Sequence, residues 1–400
     1  MSKELLLTVI ILIAGLLILS FTFSDDDPKK HLNNINPPNN FATIDSKLMD
    51  GNAISTWYRT NGSFNRNAMT GNAGFVWPKG SGKSARYASG LWLGCVSGND
   101  TLTAVAEYSY DYLPGYVDGN GDPQTDPSYR IYKIDKGNTT SDDYTNWPVN
   151  QGAYVTSEGK PFLHGVQTMF FVFTDAFPHS TGQTSLRSLK AQILQTNWVY
   201  NNFETDIGYP SNPLRNTIFM EYRIINKSNE TWNNMWVGLW TDDDVGDGSD
   251  DKIGSDTNLN MGYTYNSTNS DPVYGTAPPA VATMILRGSS KYTGNPNDTV
   301  KYFKPFGSKN IFNKVGYRDM GMTVFNTYNG GSPPPADPGN NRETYRVLQG
   351  KWRTGESWVN PITHDTTKLT FTGDPVTGTG WINTGGSDRR SVTGTGPMIV

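Results

Sequence analysis

The chain has 400 residues and a formal charge of −4, so the basic footprint of a nucleic-acid-binding protein is missing. Its single cysteine, Cys95, excludes an intramolecular disulfide framework and a cysteine-built zinc cage. Glycine (42), proline (24) and 12% aromatics beside only 18% charged residues favour short strands joined by tight turns over a helical bundle.

The first element is an apolar run, Leu5 to Phe23, preceded by Lys3 and followed by the acidic, proline-bearing stretch DDDPKK. That is the pattern of an export signal, residues 1–24, cleaved after the small residue Ser24 or retained as an anchor. No cysteine lies near the end of the run, which excludes a bacterial lipoprotein anchor. Residues 25–40, rich in Asn and Pro, read as a flexible spacer. The folded region is expected from residue 41 onward. Its length suits one large antiparallel β-sandwich with long loops, or two packed sandwich subdomains.

In the segment WPKGSGKS a P-loop would need glycine at position 77, which is Trp77, so a glycine turn is the better reading. TLTAVAEYSY alternates, with Leu102, Ala104, Ala106, Tyr108 and Tyr110 on one face, and predicts a half-buried strand. DGNGD places Asp118, Asn120 and Asp122 like the first half of a calcium loop. Pro123 and Tyr129 then stand where such a loop needs Gly and Glu, so a surface turn is preferred. LRSLKAQILQTNWVY mixes helical spacing (Leu186, Leu189, Ile193) with a strand-like end (Trp198, Val199, Tyr200), and periodicity leaves helix and strand open. FMEYRII and MWVGLW flank the turn-rich NKSNETWNN and read as a long hairpin, with Glu221 and Arg223 on one face.

The strongest chemical signal follows: TDDDVGDGSDDKIGSD crowds Asp242, Asp243, Asp244, Asp247, Asp250, Asp251 and Asp256 around Lys252, the only cation in the stretch. Carboxylates held together repel one another, and a calcium ion, which takes six to eight oxygen ligands, would offset that repulsion. The spacing is not that of an EF-hand. Asp242, Asp244, Asp247, Asp250, Asp251 and Asp256 are the candidate ligands of a structural calcium, against the plainer reading of a solvated acidic loop. Asn329 to Asn341, with three consecutive prolines, reads as a loop at residues 331–341 that separates the main sandwich region, 41–330, from further strands in 342–400.

Catalytic signals are thin. The four histidines, His31, His164, His179 and His364, stand in no triad motif. Glycosidase chemistry needs only two carboxylates, so a secreted carbohydrate-active enzyme stays open as the alternative, and exposed Trp and Tyr could stack on sugars. Sequons at Asn61, Asn138, Asn226, Asn229, Asn266 and Asn297 fit an Asn- and Thr-rich composition.

Taken together, the segments TGNAGFVWPKGSGK, SGLWLG, AEYSYDYLPG, YRIYKI, NWPVNQGA, FMEYRIINKS, WTDDDVGDGSDDKIGSDTNLNMGY, VYGTAPPAV, LQGKWRTG and SDRR resemble the amino-terminal region of large exported proteins of Bacteroidetes-like bacteria, many of which carry a type IX secretion signal at their carboxy terminus. The resemblance implies a secreted or surface-displayed β-sandwich followed by further modules, without assigned catalytic residues. It also favours strand for LKAQILQTNWVY. Such proteins continue far beyond the apolar end TGTGPMIV, so missing downstream domains and an unpaired terminal strand are expected. The combined expectation is an extracellular structural or adhesion-like binding module, calcium-stabilised. Its partners would be a surface glycan or protein, with no nucleic acid and no membrane once the signal is removed.

Overall fold

The computed structural model of the chain describes residues 43–201, 213–303, 311–329 and 335–400. The export segment and spacer, residues 1–24 and 25–40, lie outside the described residues, as do positions 331–334 of the proline-rich loop. Among the described residues no helix is long and apolar enough to cross a membrane.

Two antiparallel sheets carry the fold. The first is built from β1 (Ser46–Met49), β2 (Thr56–Arg59), β3 (Ser63–Phe64), β4 (Ala88–Ser97) and β5 (Asp100–Val105). The second contains β6 (Leu113–Pro114), β7 (Tyr132–Asp135), β8 (Gln167–Thr174), β9 (Ala191–Val199) and β10 (Ile218–Asn226). The chain then returns to the first sheet with β11 (Asn233–Asp242) and adds a small sheet from β12 (Asp251–Asp256), β13 (Met261–Asn266) and β14 (Ala280–Met284). It completes the first sheet with β15 (Val324–Tyr328) and β16 (Arg390–Met398). The orders are β1-β2-β3-β4-β11-β16-β15, with β5 also on β4, and β7-β8-β9-β10, with β6 on β8.

Alternation along the strands explains how the sheets meet. In β4, Leu91, Leu93 and Cys95 face one way, and in β8, Met169, Phe171 and Phe173 face back at them. With Met235, Ala191, Ile193 and Val199 they form one buried cluster between the sheets. This is a β-sandwich core. The outer faces are covered as well. Trp92 on β4 and Trp236 and Trp240 on β11 pack under the helix α2 (Asn341–Leu348), through Tyr345, Val347 and Leu348. Phe170 and Val172 on β8 pack under Trp147, beside the short helix α1 (Asp142–Thr145), and Ala153. Every residue of β8 is therefore buried, which is why QTMFFVFT has no polar face.

Glycines let α2 lie this close. A Cβ at Gly94 would stand 2.8 Å from Leu348 Cδ1, and one at Gly238, on the adjacent strand, 2.9 Å from Leu348 Cδ2. Both distances are shorter than real carbon contacts allow, so these positions admit no larger residue without displacing the helix. The helix itself starts at Asn340, whose side chain accepts from Glu343 N at 3.1 Å, as a capping asparagine does.

Several sequence expectations are corrected by this topology. FMEYRII and MWVGLW are not a hairpin: β10 pairs with β9 in one sheet and β11 with β4 and β16 in the other. The turn between them crosses from sheet to sheet. The TLTAVAEYSY strand ends at Val105, and Tyr108 joins the outer core beside Trp240 while Leu102, Ala104 and Ala106 enter the inner one. It is buried on both sides rather than half-buried. Residues 342–400 are not a separate set of strands, since they begin with a helix and end in β16, which lies between β11 and β15. The carboxy-terminal strand is paired on both edges, and Val400 exchanges backbone hydrogen bonds with Trp232 at 2.9 and 3.0 Å.

Other expectations hold. LKAQILQTNWVY contains the strand β9, with Leu186 exposed outside it. Glu221 and Arg223 share one face of β10 and meet Tyr154, whose hydroxyl donates to Glu221 while Arg223 lies 4.6 Å from its ring centre. Gly80 and Gly82, both at positive φ, turn the chain between the paired segments Phe75–Val76 and Ser84–Arg86, as a glycine turn requires. Asp118 Oδ1 accepts from Asn120 N and Asp122 N at 2.9 and 3.0 Å, so DGNGD closes a turn on itself.

Candidate metal centre

Strand β11 ends at Asp242, directly opposite Arg390 on β16 and Ala88 on β4. The alternation that turns Trp236 and Trp240 outward turns Asp242 the same way, so its carboxylate sits at the end of the outer core. Tyr108, edge-on to Trp240 with ring centres 5.3 Å apart, donates its hydroxyl to Asp242 Oδ2. Arg390 Nε is 3.6 Å from Oδ1, an ion pair without a hydrogen bond, and Oδ1 is buried with no hydrogen-bond partner. An orphaned buried carboxylate oxygen is costly.

Two further carboxylates converge on Asp242. One ligand atom each from Asp242, Asp244 and Asp388 lies within 4.8 Å of the other two. Asp242 is buried, Asp244 half-buried and Asp388 exposed, so the group opens to solvent on one side. Burial pushes the Asp242 carboxyl up to about 7 against the lowering effect of Arg390, with Asp244 adding to the rise. Burial, then Asp388 and Asp243, push Asp244 up to about 6. Burial works against the charge of Arg390, yet the Asp242 carboxylate and Tyr108 leave it more strongly basic than usual. Three acidic oxygens with one cation beside them form an arrangement that a hard divalent ion fits, with water completing its shell.

The structure thus brings together two of the six expected ligands, Asp242 and Asp244, and adds Asp388 from a segment 144 positions along the chain from Asp244. The other four are used differently. Asp247 Oδ1 accepts from Ser249 N at 3.1 Å and caps a short 3-10 turn. Asp251 Oδ2 accepts from Val245 N at 2.8 Å, and Asp250 Oδ2 from Ser267 Oγ at 3.2 Å. Asp256 Oδ1 accepts from Asn258 N and Leu259 N at 2.8 and 3.0 Å. These are the loop-closing bonds that aspartate makes readily. Burial pushes Asp251 up to about 8, with Asp243, Asp244 and Asp250 contributing.

Lys252 is the only cation of the acidic stretch in sequence but not in space. Arg86 forms a bidentate pair with Asp243, buried on both sides, with Nη2 to Oδ2 at 3.2 Å, and Thr264 Oγ1 donates to the same Asp243 at 2.9 Å. Arg390 serves Asp242. The cations that relieve the acidic stretch come from distant strands, which local sequence cannot show. Asp388 and Arg390 do belong to the SDRR segment noted above, but nothing in that tetrapeptide says where it docks. It docks here because Gly386 approaches the Asp250 backbone, where a Cβ would stand 2.9 Å from Asp250 Cα, and Ser387 N donates to Asp251 O at 3.0 Å.

Next to the cluster, Glu107 is buried with Oε1 unpartnered. Burial, reinforced by Asp337, pushes its carboxyl up to about 8. A folded value above the unfolded one means that its favourable contribution is present below pH 4 and is lost as pH rises through about 8. We expect Glu107→Gln to flatten the loss of stability between pH 5 and 9. Urea denaturation of both proteins across that range checks it, and parallel curves would show that Glu107 is not the group responsible.

His164 stacks on Trp198 with ring centres 4.7 Å apart and is held near 4 by burial and by Arg223, while His364 sits in a turn at positive φ and His31 lies outside the described residues. A cavity of about 330 Å³ is lined by Gly51, Asn52, Ala53, Pro78, Lys79, Asn201 and Arg215, none of them acidic. Of the sequons, Asn61 is fully buried and inaccessible to glycosylation in the folded state.

Fold and site together define an all-β sandwich protein with a three-carboxylate cluster at the end of one sheet. No protein family, curated protein or solved structure matched the chain.

Proposed function

We propose that this chain is an exported β-sandwich module with a structural or adhesion-like binding role at the cell exterior, and that a calcium ion at Asp242, Asp244 and Asp388 fastens its carboxy-terminal strand to the acidic loop. The observation that carries the ion is the convergence of three carboxylates, one of them the buried Asp242, whose Oδ1 has no hydrogen-bond partner. Export and surface display rest on the apolar amino-terminal run and on the resemblance described above. An ion here would add to the contacts that already dock the segment before β16 on the acidic stretch, where Ser387 N donates to Asp251 O at 3.0 Å. Extracellular calcium is abundant enough to fill such a site of modest affinity.

The test is calorimetry of chelated protein titrated with calcium, together with thermal melting. At a hundredfold excess over Kd, linkage predicts a gain of about 2.7 kcal/mol. Asp244→Ala with Asp388→Ala, both outside the core, should remove that gain while leaving the chelated protein's melting temperature nearly unchanged. No heat of binding and an unmoved melting temperature would overturn the ion.

A further inference from the structure

We propose that His179 is held as an imidazolium and is the charged clasp of the loop between β8 and β9, so that an alkaline shift opens this loop. The reason is geometric. The ring is buried, and both of its nitrogens face oxygens that can only accept: Nδ1 lies 2.8 Å from Ser185 O, and Nε2 lies 3.0 Å from Asp175 O and 3.3 Å from Asp175 Oδ2. A neutral imidazole has one N–H and one lone pair. Either tautomer would set a lone pair against a carbonyl oxygen, at a buried position where no water can intervene. Only the doubly protonated ring satisfies both contacts.

The surroundings are built for a cation. Asp175 is itself buried, and its carboxylate accepts from Leu189 N at 2.7 Å and Ala191 N at 2.6 Å, so both of its oxygens also face donors. From the turn after β5, Asp111 faces the same ring; it is buried, and its Oδ1 accepts from Thr181 Oγ1 at 2.9 Å. From β4, Cys95 lies in the field of Asp175, and burial and that carboxylate push its thiol up to about 12. Tyr112 feels both carboxylates and stays protonated for the same reasons. Burial opposes protonation of His179, but the bonds to Asp175 and the charge of Asp111 outweigh it and push the ring up to about 9.

The clasp matters because of what the loop holds. Ser185 Oγ accepts from Thr103 N at 3.1 Å, tying the loop to β5, and Gln183 O accepts from Thr344 Oγ1 at 2.6 Å, tying it to α2. The ring therefore joins the end of β8 to a loop that reaches both the first sheet and the covering helix. Its folded value lies above the unfolded one, so the stabilisation is complete below about pH 6.5 and is lost as pH rises through about 9.

The test is a nitrogen-15 NMR titration of the histidine rings in the intact protein, paired with hydrogen exchange of residues 176–188 at pH 7 and pH 10. The expected result is a His179 ring with both nitrogens protonated at pH 7, a midpoint near 9, and faster exchange confined to the loop at pH 10. In His179→Gln, loop exchange should already be fast at pH 7 once corrected for intrinsic rates. A neutral tautomer for His179 at pH 7 overturns the proposal, whether or not the variant folds. So does loop protection that is unchanged after the ring deprotonates.

Discussion

Phe170→Ala and Phe171→Ala should each destabilise the protein by about 3–5 kcal/mol, although the two side chains point to opposite faces of the same strand. Phe171 is fully buried in the inter-sheet core beside Phe173, with ring centres 5.9 Å apart. Phe170 is equally buried, but under Trp147, with ring centres 6.0 Å apart. A sandwich with one solvated face would lose several kcal/mol at Phe171 and almost nothing at Phe170. Urea denaturation of the two variants separates these outcomes, provided the slope with denaturant is unchanged. A Phe170→Ala cost below about 1 kcal/mol would mean that the segment over β8 contributes no core, since a surface truncation costs that little.

Arg86→Met should be nearly as damaging, at about 3–5 kcal/mol, because it leaves the Asp243 carboxylate buried without its cation. Arg86 and Asp243 are 5% exposed each, so water cannot replace the guanidinium, and Thr264 offers a single hydroxyl. The double variant Arg86→Met with Asp243→Leu should recover most of the loss, because replacing both members of a buried pair by apolar groups is far milder than orphaning one. The coupling energy from this cycle is the measurement. Additive losses would show that the pair is not interacting and that the acidic stretch is relieved in some other way. This prediction bears directly on the proposed ion, since the pair and Arg390 already offset part of the repulsion that calcium would otherwise have to relieve.

The contrast between Lys252 and these two arginines shows what local sequence can carry. That the chain is an all-β sandwich was legible, because glycine, proline and aromatic content and period-two patterning act over a few residues and report turns and strand faces directly. Strand β9 and the glycine turn at Gly80 and Gly82 were legible on the same basis, the former with the help of the resemblance. The acidic stretch stood out as a site for the same reason, and two of its six expected ligands, Asp242 and Asp244, lie in the cluster.

Only the tertiary structure decided the rest. Which strands pair depends on contacts across the whole chain, so β10 and β11, neighbours in sequence, part into different sheets, and β16 inserts between β11 and β15. Which aspartates close turns depends on the backbone donors near them, and turn geometry gives Asp247, Asp251 and Asp256 such donors. The third carboxylate, Asp388, and the compensating Arg86 and Arg390 reach the loop only through sheet pairing and the docking of Gly386. Electrostatic interaction falls with distance in space and is indifferent to distance along the chain, so a short window around Asp242 contains Asp244 but neither Asp388 nor Arg390.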